Sequence, residues 1–326
     1  MNLDPLDVRA TPARLRQLAA NGKLDSRGLE RALLYAGHVP DRAAWARFLD
    51  GTVLLLAVAL TLSGIIFFFA YNWADMHRFV KFGLIEAALL IAVGVVARWG
   101  RHSTLGKGAL LAAAILVGAL LAVFGQAYQT GADSFQLFLG WAVLIGGWVL
   151  ISNFTPLWLI LLVLLNTSLV LYWEQRLDWD VMLFFGVLTI GNALWLLAWE
   201  YAQRHGPAWL QGRWFPQLVA LWTLSLLTLP MVQFFWEEVH TDTSWLAPVL
   251  YLILGGAILF SYRIRRDLFI LTMVALSLIV VLTAGAARLL GDDFGGYIVL
   301  SILVVAQAAL AVQLLRRVQR SWEGAV

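Results

Sequence analysis

The chain has 326 residues, of which 61% are hydrophobic and 13% are charged, with a formal net charge of +3 and no cysteine. Soluble domains carry charge on about a quarter of their residues, so this composition excludes an ordinary soluble globular protein. The lack of cysteine excludes disulfides, thiol catalysis and cysteine-ligated metal sites.

The first 50 residues are polar and contain eight basic residues. They predict two short amphipathic helices, Leu15–Ala20 and Leu29–Ala36, separated by the turn-forming Asn21-Gly22-Lys23. Asp41 is placed to cap a third helix that runs into the first apolar stretch. We interpret residues 1–50 as a cytoplasmic helical segment, a small cap that fixes topology. The alternatives are a docking module and a surface helix drawn to anionic lipid.

Ten apolar stretches of membrane-spanning length follow, since a spanning helix needs about 20 mainly apolar residues. The bilayer offers no water to backbone polar groups, so each stretch is predicted to be a helix. The fold class is therefore all-α, a polytopic transmembrane helical bundle of about ten spans. Residues 51–152 hold spans one to four, and residues 153–326 hold spans five to ten with a cytoplasmic tail. The cores lie near Thr52–Ala70, Phe79–Ala97, Gly108–Gln129, Ser134–Ser152, Leu157–Trp173, Val181–Trp199, Gln217–Trp236, Leu246–Tyr262, Leu268–Leu290 and Gly296–Leu315.

Basic residues are confined almost entirely to alternate gaps between these stretches. Nineteen of the 23 fall on the side that holds both termini, and the remaining four are Arg78, Lys81, Arg176 and Arg288. The positive-inside rule predicts that this side is the cytoplasm. We therefore expect a bacterial inner-membrane protein with cytoplasmic N and C termini.

Glu86 is the clearest ionisable residue inside a predicted span, where such a group is costly unless it finds a partner. It shares a helical face with mostly small residues, which let helices approach closely, so we expect that face to be buried against protein. The face comprises Gly83, Ala87, Leu90, Gly94 and Ala97.

A matching ridge of small residues in the third span leads to a second polar side chain, Gln126. The ridge is Ala114, Gly118 and Ala122, with Gln126 as its next member at the same four-residue spacing. Both Glu86 and Gln126 fall in the outer half of the bilayer, so a hydrogen bond between them is the packing hypothesis. Glu86 is either an acidic site for a proton, cation or polar headgroup, or a structural clamp.

Several further polar groups lie at the same depth and predict a functional outer face that opens outward. The candidate polar cluster consists of Asn72, Trp73, Lys81, Glu86, Gln126, Tyr128 and Gln129.

Polar residues in the other spans occur one per span and are interpreted as contacts that hold helices together. They are Asn166, Asn192, Gln233, Gln307 and Gln313. Pro230 is expected to kink the seventh span, and Gly255-Gly256 to loosen the eighth.

The sequence contains no GxSxG, HExxH, P-loop or GxGxxG motif, and its five histidines lie in separate loops without metal-ligand spacing. We therefore expect no enzymatic activity, no cofactor and no metal site. The positive charge follows membrane topology, so nucleic-acid binding is not expected.

Two segments resemble a bacterial membrane family known as domain of unknown function 2157. The first is Phe69-Ala70-Tyr71-Asn72-Trp73, with Lys81 opening the next span, and the second is the more specific run from Phe124 to Asp133. The resemblance covers about Arg14 to Leu150. It implies a membrane location and architecture without an activity. Because members tend to be encoded near other envelope proteins, it also implies an envelope membrane-protein partner.

The favoured function is a non-enzymatic accessory or scaffold component of an envelope complex, embedded in the lipid bilayer. The alternative is a transporter of a small or lipidic substrate that uses the Glu86 polar cluster. An intramembrane enzyme is the third reading.

Overall fold

The computed structural model of the protein describes residues 10–73, 75–129, 131–237, 241–290 and 294–323. Throughout these ranges the regular structure is helical, without a strand, which confirms the all-α fold class. The chain divides into two compact units, Met1–His77 and Arg78–Val326, and each is described by itself.

The N-terminal unit contains helices α1 (Pro12–Ala20), α2 (Ser26–Tyr35) and α3 (Arg42–Asn72). The first two are the predicted short helices, and Gly22 supplies the left-handed turn residue after α1, with φ of 71°. Asp25 caps α2 by accepting a hydrogen bond from the Gly28 amide at 2.7 Å.

Helix α3 is the third helix that the sequence predicts to continue into the first span. Its N-terminus is capped by Asp41, whose Oδ1 accepts from the Ala44 amide at 2.6 Å. From Arg42 the helix runs without interruption to Asn72, through the predicted core Thr52–Ala70. The polar segment and the first span are therefore joined by one continuous helix that crosses the boundary expected at residue 50.

The second unit contains the remaining spans, most of them joined by short loops. Its helices are α4 (Arg78–Trp99), α5 (Thr104–Tyr128), α6 (Ser134–Ser152), α7 (Thr155–Arg176), α8 (Val181–His205), α9 (Trp214–Trp236), α10 (Leu246–Leu250), α11 (Gly256–Ile264), α12 (Leu268–Leu290) and α13 (Phe294–Glu323).

A π-helical turn, Tyr251–Gly255, joins α10 and α11 into one helix, Leu246–Ile264, and it ends at the predicted glycine pair. Across the described ranges, nine helices from α4 onward are long and apolar enough to cross a membrane. With α3 they account for the predicted bundle of about ten spans.

Helix α4 packs on α5 through the face that carries Ile85 and Ala92, both buried. This face meets the buried Ala109 and Ala113 of α5. Glu86 follows Ile85 in the sequence and therefore lies on a different face of α4, where its side chain is exposed. The expectation that the Glu86 face is buried against protein is therefore wrong, because the neighbouring apolar face makes the contact.

The small-residue ridge of α5 packs against α6. Trp141 of α6 lies over Gly118, where an added Cβ would come within 2.4 Å of the indole ring. Its Nε1 donates a hydrogen bond to the Ala114 carbonyl at 2.6 Å. The ridge thus packs against the Trp141 ring and also provides the acceptor for its indole N–H.

Two asparagines link α7 to α8 in the middle of their spans. The Asn192 amide donates to Asn166 Oδ1 at 2.6 Å, and the Asn166 amide donates to Asn192 Oδ1 at 3.2 Å. Each amide also donates to the backbone carbonyl four residues earlier in its own helix. This pair confirms the prediction that these two residues hold helices together.

Helix α9 continues through Pro230, which cannot donate to the Leu226 carbonyl in the usual helical pattern. Thr189 of α8 supplies the missing donor, because its hydroxyl lies 3.4 Å from that carbonyl oxygen. The proline is thereby accommodated by a neighbouring helix, as membrane helices require.

Helices α9 and α12 meet at a hydroxyl cluster next to the π-helical turn. Ser277 Oγ lies 2.6 Å from Thr228 Oγ1 and 2.9 Å from the Tyr251 hydroxyl. The turn therefore presents Tyr251 to a polar contact between two spans.

Outside the spans, the α7–α8 and α9–α10 loops are tied by Asp180. Its carboxylate accepts from the Thr243 hydroxyl and from the Met182 amide, which it caps. The hydrogen bond from Thr243 is the main cause that lowers the pKa of Asp180 below its ordinary value.

The contact between Trp141 and Gly118 can be tested by adding one methyl group. We expect Gly118→Ala to destabilise the protein by about 1–3 kcal/mol, because the Trp141 ring is held by its hydrogen bond and cannot shift freely. Gly108→Ala is the matched control in the same helix, since a Cβ there meets nothing within 4 Å. It should be neutral or stabilising by up to about 1 kcal/mol. Thermal or denaturant unfolding in detergent measures both, and equal stabilities would refute the packing.

Candidate functional site

The residues of the predicted polar cluster divide between the two units. Trp73 belongs to the N-terminal unit, as does Asn72, whose side chain lies outside the described part of the structure. In the second unit, Lys81 and Glu86 are on α4, and the other three are at the end of α5 or just after it. The expected outer face formed by all seven therefore stays a prediction.

The expected hydrogen bond between Glu86 and Gln126 is not formed in this structure. Both side chains are exposed, and Glu86 does not line the groove that contains Gln126. The N-terminal end of α4 and the C-terminal end of α5 meet instead through aromatic rings. Tyr128 lies 6.1 Å from Phe82 and 4.8 Å from Phe124 between ring centroids.

Gln126 and Gln129 line a groove of about 900 Å³ between the C-terminal half of α5 and the N-terminal half of α6. It is called the outer groove below, after the side that the sequence predicts it to face. On α5 it extends from Ile115 to Gln129, about 20 Å at the helical rise. Its walls are mainly apolar or small. They include Ala122 from the α5 ridge, Gly125 on the same helix, and Gly140 on α6.

The polar end of the outer groove is formed by the motif from Phe124 to Asp133, of which Thr130 lies outside the described residues. Gln129 ends α5 in the left-handed conformation, with φ of 45°, and Gly131 follows with φ of 63°. Asp133 is ion-paired with Arg176 of α7, which ties the loop to a third helix. The acid at the mouth of the groove is thus neutralised, while the two glutamine amides remain exposed.

A second cluster, called the ion cluster below, lies at the opposite ends of the spans and is centred on Glu200 of α8. The Glu200 side chain is buried, and its residue is only 3% exposed. It accepts a hydrogen bond from the Tyr262 hydroxyl at 2.5 Å and forms an ion pair with Arg265. Arg213 approaches the same carboxylate at 4.0 Å.

Arg213 extends the ion cluster to a second buried acid, Asp267. The guanidinium and the Asp267 carboxylate are 2.5 Å apart, and Gln217 lies 3.3 Å from the same oxygen. Asp267 also caps α12 by accepting from the Ile270 amide at 3.3 Å. Two acids and two arginines therefore balance in charge where α8, α9, α11 and α12 meet.

Burial lowers the pKa of Arg265, and its Nε is a buried donor that has no partner among the described residues. A cavity of about 60 Å³ lies beside it, lined at its polar end by Glu200, Ser261, Tyr262 and Arg265. Ordered water needs a polar site with room for at least one molecule, and this cavity provides both. The ion cluster can thus hold an ordered water beside Arg265.

Sequence reasoning missed the ion cluster because Glu200 lies one residue beyond the predicted core Val181–Trp199, and the arginines were assigned to topology alone. A usable signal was present. Glu200 and Asp267 are acids on the strongly basic side of the membrane, each next to apolar sequence. Within the described ranges, no three His, Cys, Asp or Glu side chains are placed to hold a metal ion.

Residues 16–158 match a protein-family model described as "Predicted membrane protein (DUF2157)". The resemblance inferred from the two motifs is confirmed, and the match extends from within α1 through α6, so that it includes the outer groove. The ion cluster lies beyond it. Comparison with curated proteins and with solved structures gave no match.

Removing one member of the ion cluster should be costly. We expect Glu200→Leu to destabilise the protein by about 3–5 kcal/mol, because Arg265 would remain buried without its counter-charge. The double variant Glu200→Leu/Arg265→Met should recover most of this loss. Glu86→Leu, an exposed acid in another span, should cost no more than about 0.5 kcal/mol. Unfolding in detergent compares the three, and similar losses for Glu200→Leu and Glu86→Leu would contradict the assignment.

Proposed function

We propose that the protein is a non-enzymatic, multi-pass scaffold or accessory component of an envelope complex in a bacterial inner membrane. The outer groove is its docking site, and a membrane-spanning helix of the partner is the occupant. The observation that carries the proposal is a groove of about 900 Å³ within the family-matched segment.

The chemistry of the outer groove favours a helix over a polar solute. Ala122, Gly125 and Gly140 provide the small surfaces across which membrane helices approach closely. Gln126 and Gln129 offer exposed amide groups that can hydrogen-bond across a helix contact. Asp133, the acid among the described lining residues, is already paired with Arg176 and is therefore not free to attract a cation.

A transporter is the second candidate, supported by Pro230 and the π-helical turn, since interrupted helices can mark substrate sites. Most buried polar side chains in the described spans, however, are engaged in contacts between particular helices. Asn166 pairs with Asn192, and Thr228 pairs with Ser277. Such pairs hold helices together and favour the scaffold.

Crosslinking tests the docking site directly. A photoreactive amino acid at Ala122 should yield a discrete adduct that maps to a spanning segment of a second polypeptide. Gln126→Leu should lower that yield several-fold, because it removes an amide from the contact. Leu194, exposed on α8 away from the groove, is the control position and should give lipid adducts only. Adducts from Ala122 that contain only lipid, or only this chain, would overturn the proposal.

Orientation is a separate part of the proposal, supported by the distribution of basic residues. We expect reporter fusions at Val326 and in the loop after α4, at Arg101, to report the cytoplasm. Fusions at Asp178, after α7, and at Thr241, after α9, should report the opposite side. The same readout at Val326 and Thr241 would exclude this topology.

A further inference from the structure

A second groove, called the lipid groove below, lies between α11, α12 and α13 and has a volume of about 340 Å³. Its walls are apolar, with two exceptions. Gln307 lies at one end, where its Oε1 accepts from the Thr283 hydroxyl at 3.2 Å, and Arg263 lies at the other. Helix α13 contributes a whole side of the groove although none of its spanning window is buried.

The length of the lipid groove matches one leaflet of a bilayer. Its α12 wall runs from Leu271 to Leu282, and its α13 wall from Gln307 to Val318. Each wall is about 16 Å long at the helical rise. The hydrocarbon core of a bilayer is about 30 Å thick, so one leaflet is about 15 Å.

Arg263 lies at the end of the lipid groove where α12 begins and α13 finishes. Its side chain is exposed, and it forms no ion pair or hydrogen bond with the described residues. The nearby Arg213 and Arg265 are instead engaged with Glu200 and Asp267. Arg263 therefore keeps an uncompensated positive charge at the mouth of an apolar groove.

We infer that the lipid groove binds an anionic phospholipid, with one acyl chain between α12 and α13 and the phosphate on Arg263. The bilayer surrounds this apolar groove with acyl chains, and the groove is about as long as one leaflet, so an acyl chain is the occupant that fits it. None of the described residues that line the groove is acidic, so the ammonium of a zwitterionic headgroup finds no counter-charge among them.

The test uses the full chain in mixed vesicles that contain equal amounts of phosphatidylglycerol and phosphatidylcholine. One lipid at a time carries a photoreactive group in its acyl chain, and adducts are mapped to peptides of α12 and α13. We expect phosphatidylglycerol to label the groove about fivefold more than phosphatidylcholine, as one guanidinium at a membrane surface predicts. Equal labelling by both lipids would overturn the inference.

Variants separate the headgroup from the acyl-chain contact. Arg263→Gln should bring the labelling ratio close to one while both lipids still label the groove. Arg204→Gln removes an exposed arginine from α8 outside the groove and should leave the ratio unchanged. Ala311→Phe fills the groove and should abolish labelling by both lipids. A preference for phosphatidylglycerol that remains in Arg263→Gln would overturn the inference. If Ala311→Phe fails to fold, the result for Arg263→Gln decides alone.

Discussion

The hydrocarbon interior supplies no hydrogen bonds, and the contacts between spans follow from that constraint. The Trp141 indole reaches a backbone carbonyl of the neighbouring helix, and Thr189 covers the carbonyl that Pro230 leaves free. Asn166 and Asn192 satisfy each other across α7 and α8. Lipid tails are as apolar as the side chains, so no hydrophobic driving force brings the helices together. Polar contacts and close packing across small-residue surfaces therefore select which helices become neighbours.

The ion cluster obeys the same constraint at a higher cost. Moving an ion out of water costs several kcal/mol, and one counter-charge seldom offsets it without further hydrogen bonds. Glu200 forms an ion pair with Arg265 and accepts a hydrogen bond from the Tyr262 hydroxyl. Asp267 forms an ion pair with Arg213 and accepts a hydrogen bond from a backbone amide of α12. The cluster adjoins an aromatic core in which the rings of Trp199 and Phe215 lie 4.1 Å apart. The ion cluster thereby fixes the relative register of four helices at one membrane surface. Apolar packing alone would specify that register only weakly.

Hydropathy and capping rules were sufficient to predict the helices, because both depend on local sequence. Asp41 illustrates this, since its position before an apolar stretch predicted a cap and a continuous helix. Which face of a helix packs against its neighbour cannot be predicted in the same way, because it also depends on which face of the neighbour is available. Glu86 shows the limit, because its small-residue face was a plausible contact, yet α4 packs through Ile85 and Ala92. The ion cluster needed residues from four helices and was not predictable from any one of them.

One part of the α5 ridge packs against α6 within the bundle, and another part lines the outer groove. The two parts differ in whether a side chain of α6 covers them. At Ala114 and Gly118 it is covered by Trp141, and the missing side chains create the space that the indole fills. The outer groove begins beside this contact, and beyond Gly118 the ridge continues along it through Ala122 to the exposed Gln126. A uniform ridge would need only one partner helix along its full length. Because the covering helix α6 protects only part of it, the family-matched segment retains an apolar surface next to exposed amides. A membrane protein that binds another spanning helix needs such a combination, since small residues allow close approach and the amides then find partners on the bound helix.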